Sequence, residues 1–202
     1  MNREENVQND GATVVVGPGQ TATAGDRGVA IAGEGGTASA GIGGAAVVHG
    51  NGHAEIVRHG TVACLQVGGS ASGGHGVAAF VKEGGEAGTG DGGTSLSLLR
   101  GKASVYHGGV AVSANNGQAT AGGKGSLAVL MNQGDQGFVR LGPDAEDSSL
   151  MIIRYRHPDD PDNKYRFKIG VIGSACDVVE IQDNLENDKC YRLNACFQFE
   201  EL

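Results

Sequence analysis

The chain has no tryptophan, only four tyrosines and five phenylalanines, and just four prolines in 202 residues. So few large side chains cannot fill an ordinary globular core. With 37 glycines, two classes remain: a disordered chain, or a repeat fold whose thin core is built from small residues. No run of about 20 apolar residues is present to span a membrane. The start, Met1-Asn2-Arg3-Glu4-Glu5-Asn6, has no apolar stretch behind a basic start, so no secretory leader is expected. Cys64, Cys176, Cys190 and Cys196 form no CxxC pair and lack zinc-site spacing. Free thiols in a reducing compartment, the cytoplasm, are the expectation.

Basic surplus is also lacking, and the net charge of −8 is unevenly spread. Residues 13–141 hold seven acids and seven bases, a net of zero. Residues 142–202 hold thirteen acids against seven bases. A neutral central region gives little pull on nucleic acid. It also lacks the rows of acids that imitation of a phosphate backbone would need.

What is there is a period. From Thr13 the chain divides into octads that close on glycine: TATAGDRG (21–28), VAIAGEGG (29–36), TASAGIGG (37–44), AAVVHGNG (45–52) and HAEIVRHG (53–60). The pattern resumes as EAGTGDGG (86–93), TSLSLLRG (94–101), KASVYHGG (102–109), VAVSANNG (110–117) and QATAGGKG (118–125). An extra residue falls near Glu83–Gly85 and another near Gln133–Gly134 in this reading. Disorder would not keep such spacing. Each octad reads as a four-residue strand and a four-residue turn. Glycine serves where φ is positive or where the chain passes close to the next coil.

Two kinds of octad alternate. In TATAGDRG and its like, the second and fourth positions are small or apolar (Ala22/Ala24, Ala38/Ala40, Ala54/Ile56), while the first and third are polar (Thr21/Thr23, Thr37/Ser39, His53/Glu55). That is a strand with one wet face. In VAIAGEGG and its like, the second and fourth positions, Ala30/Ala32, Ala46/Val48, Val62/Cys64, Ala78/Phe80 and Leu127/Val129, are assigned to the core. The first and third are apolar as well: Val29/Ile31, Ala45/Val47, Val77/Ala79, Val110/Val112. Strands apolar on both sides are covered on both sides. The pairing predicts an all-β fold, a parallel two-sheet β-solenoid or β-roll with about 16 residues per coil. Eight coils at about 4.8 Å give a stack of roughly 40 Å.

Near Leu141 glycine thins and charge and aromatics rise. Strands are expected at 149–156 and 165–172 as a hairpin, at 190–199, and briefly at 178–181, with a turn at 157–164. The domain reading is a polar segment at 1–12, the solenoid at 13–141 and a small β-rich C-terminal module at 142–202. A solenoid end exposes unpaired backbone groups, so the module is expected to cap the stack or to recruit a partner.

The octads TATAGDRG, VAIAGEGG and TASAGIGG, followed by YRFKIGVIG and the closing YRLNACFQFEEL, resemble a glycine-rich octapeptide-repeat family of bacterial and phage proteins. The resemblance spans most of residues 13–202. It implies a β-solenoid with a short β tail and a bacterial or phage origin, and it transfers no catalytic residue.

Site chemistry is sparse. Calcium-binding rolls need an Asp in each coil, and Asp26 and Asp91 do not recur that way. An ice-binding array of Thr-x-Thr is interrupted by His53/Glu55 and Lys102/Ser104. The spacing predicts that His59 and His75 stack on adjacent coils. No nucleophile sits beside a base, and the glycine-rich loops lack a Lys-Ser/Thr ending and a following helix. No catalytic residue, metal or cofactor is therefore expected.

The expected function is a non-enzymatic protein-interaction scaffold, a homodimer formed through Val29, Ile31, Val47, Val77, Leu96, Val110 and Val112. His53, Glu55, Lys102 and Tyr106 are left for an unidentified protein partner. No nucleic acid or membrane is expected as a partner, and the setting would be a bacterial cytoplasm or the host cell of a phage. The alternatives are a surface adhesin or carbohydrate-binding tip, and an enzyme with its site at the junction of solenoid and C-terminal module.

Overall fold

The structure is a computed structural model, and it describes residues 4–7, 9–131, 137–144, 150–155, 166–171, 181–182, 190–193 and 199–202. Its strands are β1 (Glu4–Val7), β2 (Thr13–Val15), β3 (Thr21–Ala24), β4 (Val29–Ala32), β5 (Thr37–Ala40), β6 (Ala45–Val48), β7 (His53–Ile56) and β8 (Gly60–Val67). They continue as β9 (Ser70–Gly73), β10 (Val77–Glu83), β11 (Glu86–Thr89), β12 (Thr94–Leu99), β13 (Lys102–Val105), β14 (Val110–Ala114), β15 (Gln118–Gly123) and β16 (Leu127–Met131). The last are β17 (Phe138–Asp144), β18 (Leu150–Tyr155), β19 (Arg166–Val171), β20 (Ile181–Gln182), β21 (Cys190–Leu193) and β22 (Phe199–Glu201).

Odd strands through β17 make one sheet and even strands through β18 make the other. All these pairings are parallel, so the chain winds as a β-solenoid of about 16 residues per turn. Thr21 pairs with Thr37, and Val29 with Ala45. The parallel ladder also takes in β1, which pairs with β3, and β18, which pairs with β16. Beyond it the direction reverses. β19 lies antiparallel on β18, and β21 lies antiparallel on β17.

The tail hairpin of β18 and β19 is as the sequence predicts. The segment read as one strand at 190–199 is instead two, β21 and β22, which pair antiparallel with each other. The expected turn at 157–164 and most of the expected strand at 178–181 lie outside the described residues.

The core is thin because alternate side chains of both sheets meet inside. Ala22, Ala30, Ala38, Ala46 and Ala54 are fully buried. The interior falls into two apolar stretches, one from Val14 to Ala87 and one from Ala103 to Tyr191. Between them the buried side chains are hydroxyls: Thr89, Ser95 and Ser97. Ser95 Oγ donates to the Ser104 carbonyl at 2.7 Å and lies 3.2 Å from Thr89 Oγ1. A buried hydroxyl is tolerated where it finds such a carbonyl.

Glycine does two separate jobs at the corners. In the regular laps positive φ falls one residue before the closing glycine, as at Gly35 (φ 70°), and Arg27, His59 and Arg100 also adopt it; after an insertion it falls on Gly76 and Gly125. The closing glycine is kept for room. A Cβ at Gly36 would stand 2.6 Å from the Gln20 carbonyl oxygen of the previous coil and 2.8 Å from Ala32 Cβ.

The lap lengthens between Met131 and Phe138, around the expected Gln133–Gly134, because Ala114 pairs with Met131 but Gln118 with Phe138. The extra residue expected near Glu83–Gly85 lies elsewhere. His53 pairs with Ser70, and Cys64 with Val81, while Val67 pairs with Glu83. Leu65 and Gln66 thus oppose the single residue Lys82 in a β-bulge. A further residue, which the glycine spacing does not show, lies between Ala121 and Leu127, because Val105 pairs with Ala121 at the usual spacing but Val110 pairs with Leu127.

The consequence is a reversal of facing. Val77 and Ala79 point inward, 1% and 2% exposed, and Ala78 and Phe80 point outward. Leu127 and Val129 are likewise outward, with Ala128 and Leu130 in the core. Val77 occupies the place of a closing glycine, opposite Gly60. It fits because Gly73 stands where the preceding coil has Ile56. A Cβ at Gly73 would meet Val77 Cβ at 2.7 Å.

Candidate interaction faces

The outward residues of the odd sheet form a polar face. One column runs Thr21, Thr37, His53, Ser70, Glu86, Lys102 and Gln118. Its charges are satisfied locally. His53 Nε2 lies 3.6 Å from Glu55 Oε2, and His53 Nδ1 lies 2.6 Å from Ser70 Oγ. Lys102 Nζ donates to Glu86 Oε1 at 2.7 Å. Exposed pairs of this kind contribute about 0–1 kcal/mol.

Three of the four expected partner-binding residues, His53, Glu55 and Lys102, thus share the polar face. His53 and Lys102 are three strands apart, about 14 Å, so they do not converge on one small ligand. Tyr106 is not on that face. It stands at the following corner, 44% exposed, with its ring edge-on to His107 at 4.3 Å between centroids. His59 and His75 do not stack as equivalents either. The inserted residue matches His59 to the corner position of Gly76, and His75 Nδ1 pairs with Asp91 Oδ2 at 3.5 Å. No group of three His, Cys, Asp or Glu residues that could hold a metal ion occurs among the described residues.

The outward residues of the even sheet form a face with an apolar middle, edged by the exposed Thr61, Thr94 and Lys82. Its middle column runs Val15, Ile31, Val47, Ala63, Phe80, Leu96, Val112 and Val129, strand after strand, with no polar residue in it. Beside it lie Val29, Ala45, Thr61, Ala78, Thr94, Val110 and Leu127. Of the expected interface residues, Val29, Ile31, Val47, Leu96, Val110 and Val112 are on this face and half-buried. Val77 is the exception and belongs to the core.

The reading from sequence misses Val15, Phe80, Leu127 and Val129. A signal was present for Phe80. The run Val62–Val67 (VACLQV) has no residue that favours a turn, so the coil had to lengthen there rather than twenty residues later. Where β8, β10 and β12 lengthen, the face widens, and Leu65, Val67 and Leu98 are exposed at its margin.

Cys64 is buried within the even sheet, its Sγ 3.0 Å from the Ser70 carbonyl oxygen. Burial pushes the thiol pKa up, and a backbone hydrogen bond at Ala54 opposes this in part. Such a thiol is inert rather than nucleophilic. The expected alternative site at the solenoid junction falls partly outside the described residues. No helix among the described residues is long and apolar enough to cross a membrane. Comparison of the chain with protein-family models, with curated proteins and with solved structures finds no match.

Proposed function

We propose that this protein is a non-enzymatic interaction scaffold that pairs with a second copy of itself through the outer face of the even sheet. One observation carries the reading: the middle column from Val15 to Val129 is apolar on all eight strands, while the matching face of the odd sheet is polar. Apolar surface gains about 25 cal/mol per Å² on leaving water. Eight strands at about 4.8 Å by three outward positions give roughly 700 Å², close to the 800 Å² or so that each partner gives to a standard interface. A rigid sheet also loses little entropy on docking.

The polar face, with His53, Glu55 and Lys102, and the corner Tyr106 are then left for an unidentified protein partner. In this reading the reversed strands of the tail block end-to-end growth of the stack. The setting we propose, a bacterial cytoplasm or a phage-infected host cell, rests on the repeat style alone.

Sedimentation velocity at micromolar concentration is the test. The expected result is a dimer. Ile31→Asp with Val112→Asp should give a monomer of unchanged far-ultraviolet circular dichroism. Thr21→Asp on the polar face should leave the dimer intact. A monomeric parent protein would overturn the reading.

A further inference from the structure

The sizes along the middle column of the even sheet say how two copies would meet. Seven of its eight residues are Val, Ile, Leu or Phe, and the eighth, Ala63, is directly beside the largest, Phe80. An apolar column with a knob next to a hole cannot pack on its own image in just any way. If two copies lay with their stacks aligned, Phe80 would oppose Phe80 and Ala63 would oppose Ala63. One strand would be overfilled and the next would leave a void, and both defects weaken the pairing.

Resting on the self-association proposed above, we infer that the two copies pack with their stacks reversed, about a two-fold axis that runs parallel to the strands and crosses the column between Ala63 and Phe80. That axis seats Phe80 of each copy over Ala63 of the other, so both knobs fill both holes at once, as an isologous interface requires. It also sets Leu96 against Val47 and Val15 against Val129, beyond which the register continues to Ile152 of β18. Each opposed pair then sums to a similar size. The axis leaves four of the strands from β2 to β16 on either side, so the overlap area is the one estimated above. Strand β18 and those after it lie beyond Val129 and overhang the partner's N-terminal end. The product is a bivalent body, with a polar face outward on each side and the two N-terminal ends at opposite extremes.

Cross-linking reads this arrangement directly. Val15→Cys and Val129→Cys are made separately, with Cys176, Cys190 and Cys196 replaced by serine and the buried Cys64 kept. A bis-maleimide spanning the roughly 10 Å between packed sheets is used. Mixed variants should yield linked dimers, whereas Val15→Cys alone should yield none, its two sites being about 34 Å apart.

Linkage of Val15→Cys to itself would mean aligned stacks and would overturn the inference. So would a dimer by sedimentation that links in neither experiment, and that result would leave self-association standing. A monomer would remove both. As a second measurement, Ala63→Phe and Phe80→Ala should each weaken the dimer by roughly tenfold or more. The double variant, which exchanges knob and hole, should recover most of the loss. A double variant as weak as the single ones would overturn the seating of Phe80 on Ala63.

Discussion

The strands from Thr21 to Ile56 and those from Gly60 to Ser113 obey the same winding with different means. In the first region every lap takes 16 residues and small side chains alternate with closing glycines. In the second, a bulge at Leu65–Gln66 lengthens one lap, Gly73 and Val77 exchange the usual roles, and serines replace alanines inside. The difference teaches that the fold conserves inner volume and backbone pairing, not the position of glycine. Glycine marks the lap only where the strand residue before it has a Cβ to avoid.

The largest expected effect comes from breaking the regular region at its tightest place. Gly36→Ala puts a Cβ between the Gln20 carbonyl and Ala32 Cβ, both fixed by backbone. One coil must move away from the next, and a loss of about 3 kcal/mol or more in unfolding free energy is expected. Gly35→Ala is the control. Its Cβ meets nothing within 4 Å, so only the left-handed backbone is penalised, about 1–2 kcal/mol. Urea titration of both variants checks the ordering. Equal losses would mean that close approach is not what the closing glycine provides.

The exchange in the second region makes the next test. Gly73→Ala collides with Val77 and should cost about 1–3 kcal/mol. Val77→Gly empties the same space and should cost about 2–3 kcal/mol. The double variant writes the pattern of Ala40 and Gly44 into this lap, and should lie within about 1 kcal/mol of the parent. A double-mutant cycle reads the coupling. Simple additivity would show that the two residues do not share one volume.

That same exchange decides what could be read from sequence. The 16-residue lap, the two sheets and the polar and apolar alternation were legible, because octads such as TASAGIGG and AAVVHGNG repeat both strand and turn. The facing of Val77, Phe80, Leu127 and Val129 was not. Gly60 and Gly68 keep the eight-residue spacing while the chain bulges between them, so the period in glycine hides the shift in register. A one-residue slip turns every following side chain over. Six of the seven residues expected at an interface face outward because the strands bearing Val29, Val47, Leu96 and Val110 lie where the count happens to be right. Tyr106 was misplaced for a simpler reason: it follows the strand rather than belonging to it.

A smaller effect separates the alanine interior from the serine one. Ser97 Oγ is buried with no hydrogen-bond partner among the described residues. Ser113 Oγ, on the next strand, donates to the Gly101 carbonyl at 3.2 Å. Ser97→Ala removes an unsatisfied hydroxyl and should stabilise the fold by about 1 kcal/mol. Ser113→Ala should be neutral or destabilising. Thermal unfolding distinguishes the two, and a loss at Ser97 as large as at Ser113 would reveal a partner for its hydroxyl.

The smallest expected effect is a pH dependence at Cys64, where the regular interior gives way to the bulge. The folded thiol has a raised pKa because it is buried. In the unfolded chain it ionises near its ordinary value, about 8.5. Below that pH both states carry the proton and the group adds no slope. Above it the unfolded chain loses the proton first, so stability falls as pH rises toward the folded pKa. Denaturant midpoints between pH 8 and pH 10 should therefore decline in the parent and decline less in Cys64→Ala, after correction for the change in side chain. Parallel curves for the two proteins would mean that the thiol is not held protonated by the fold, and the tight interior inferred at this lap would have to be open to water.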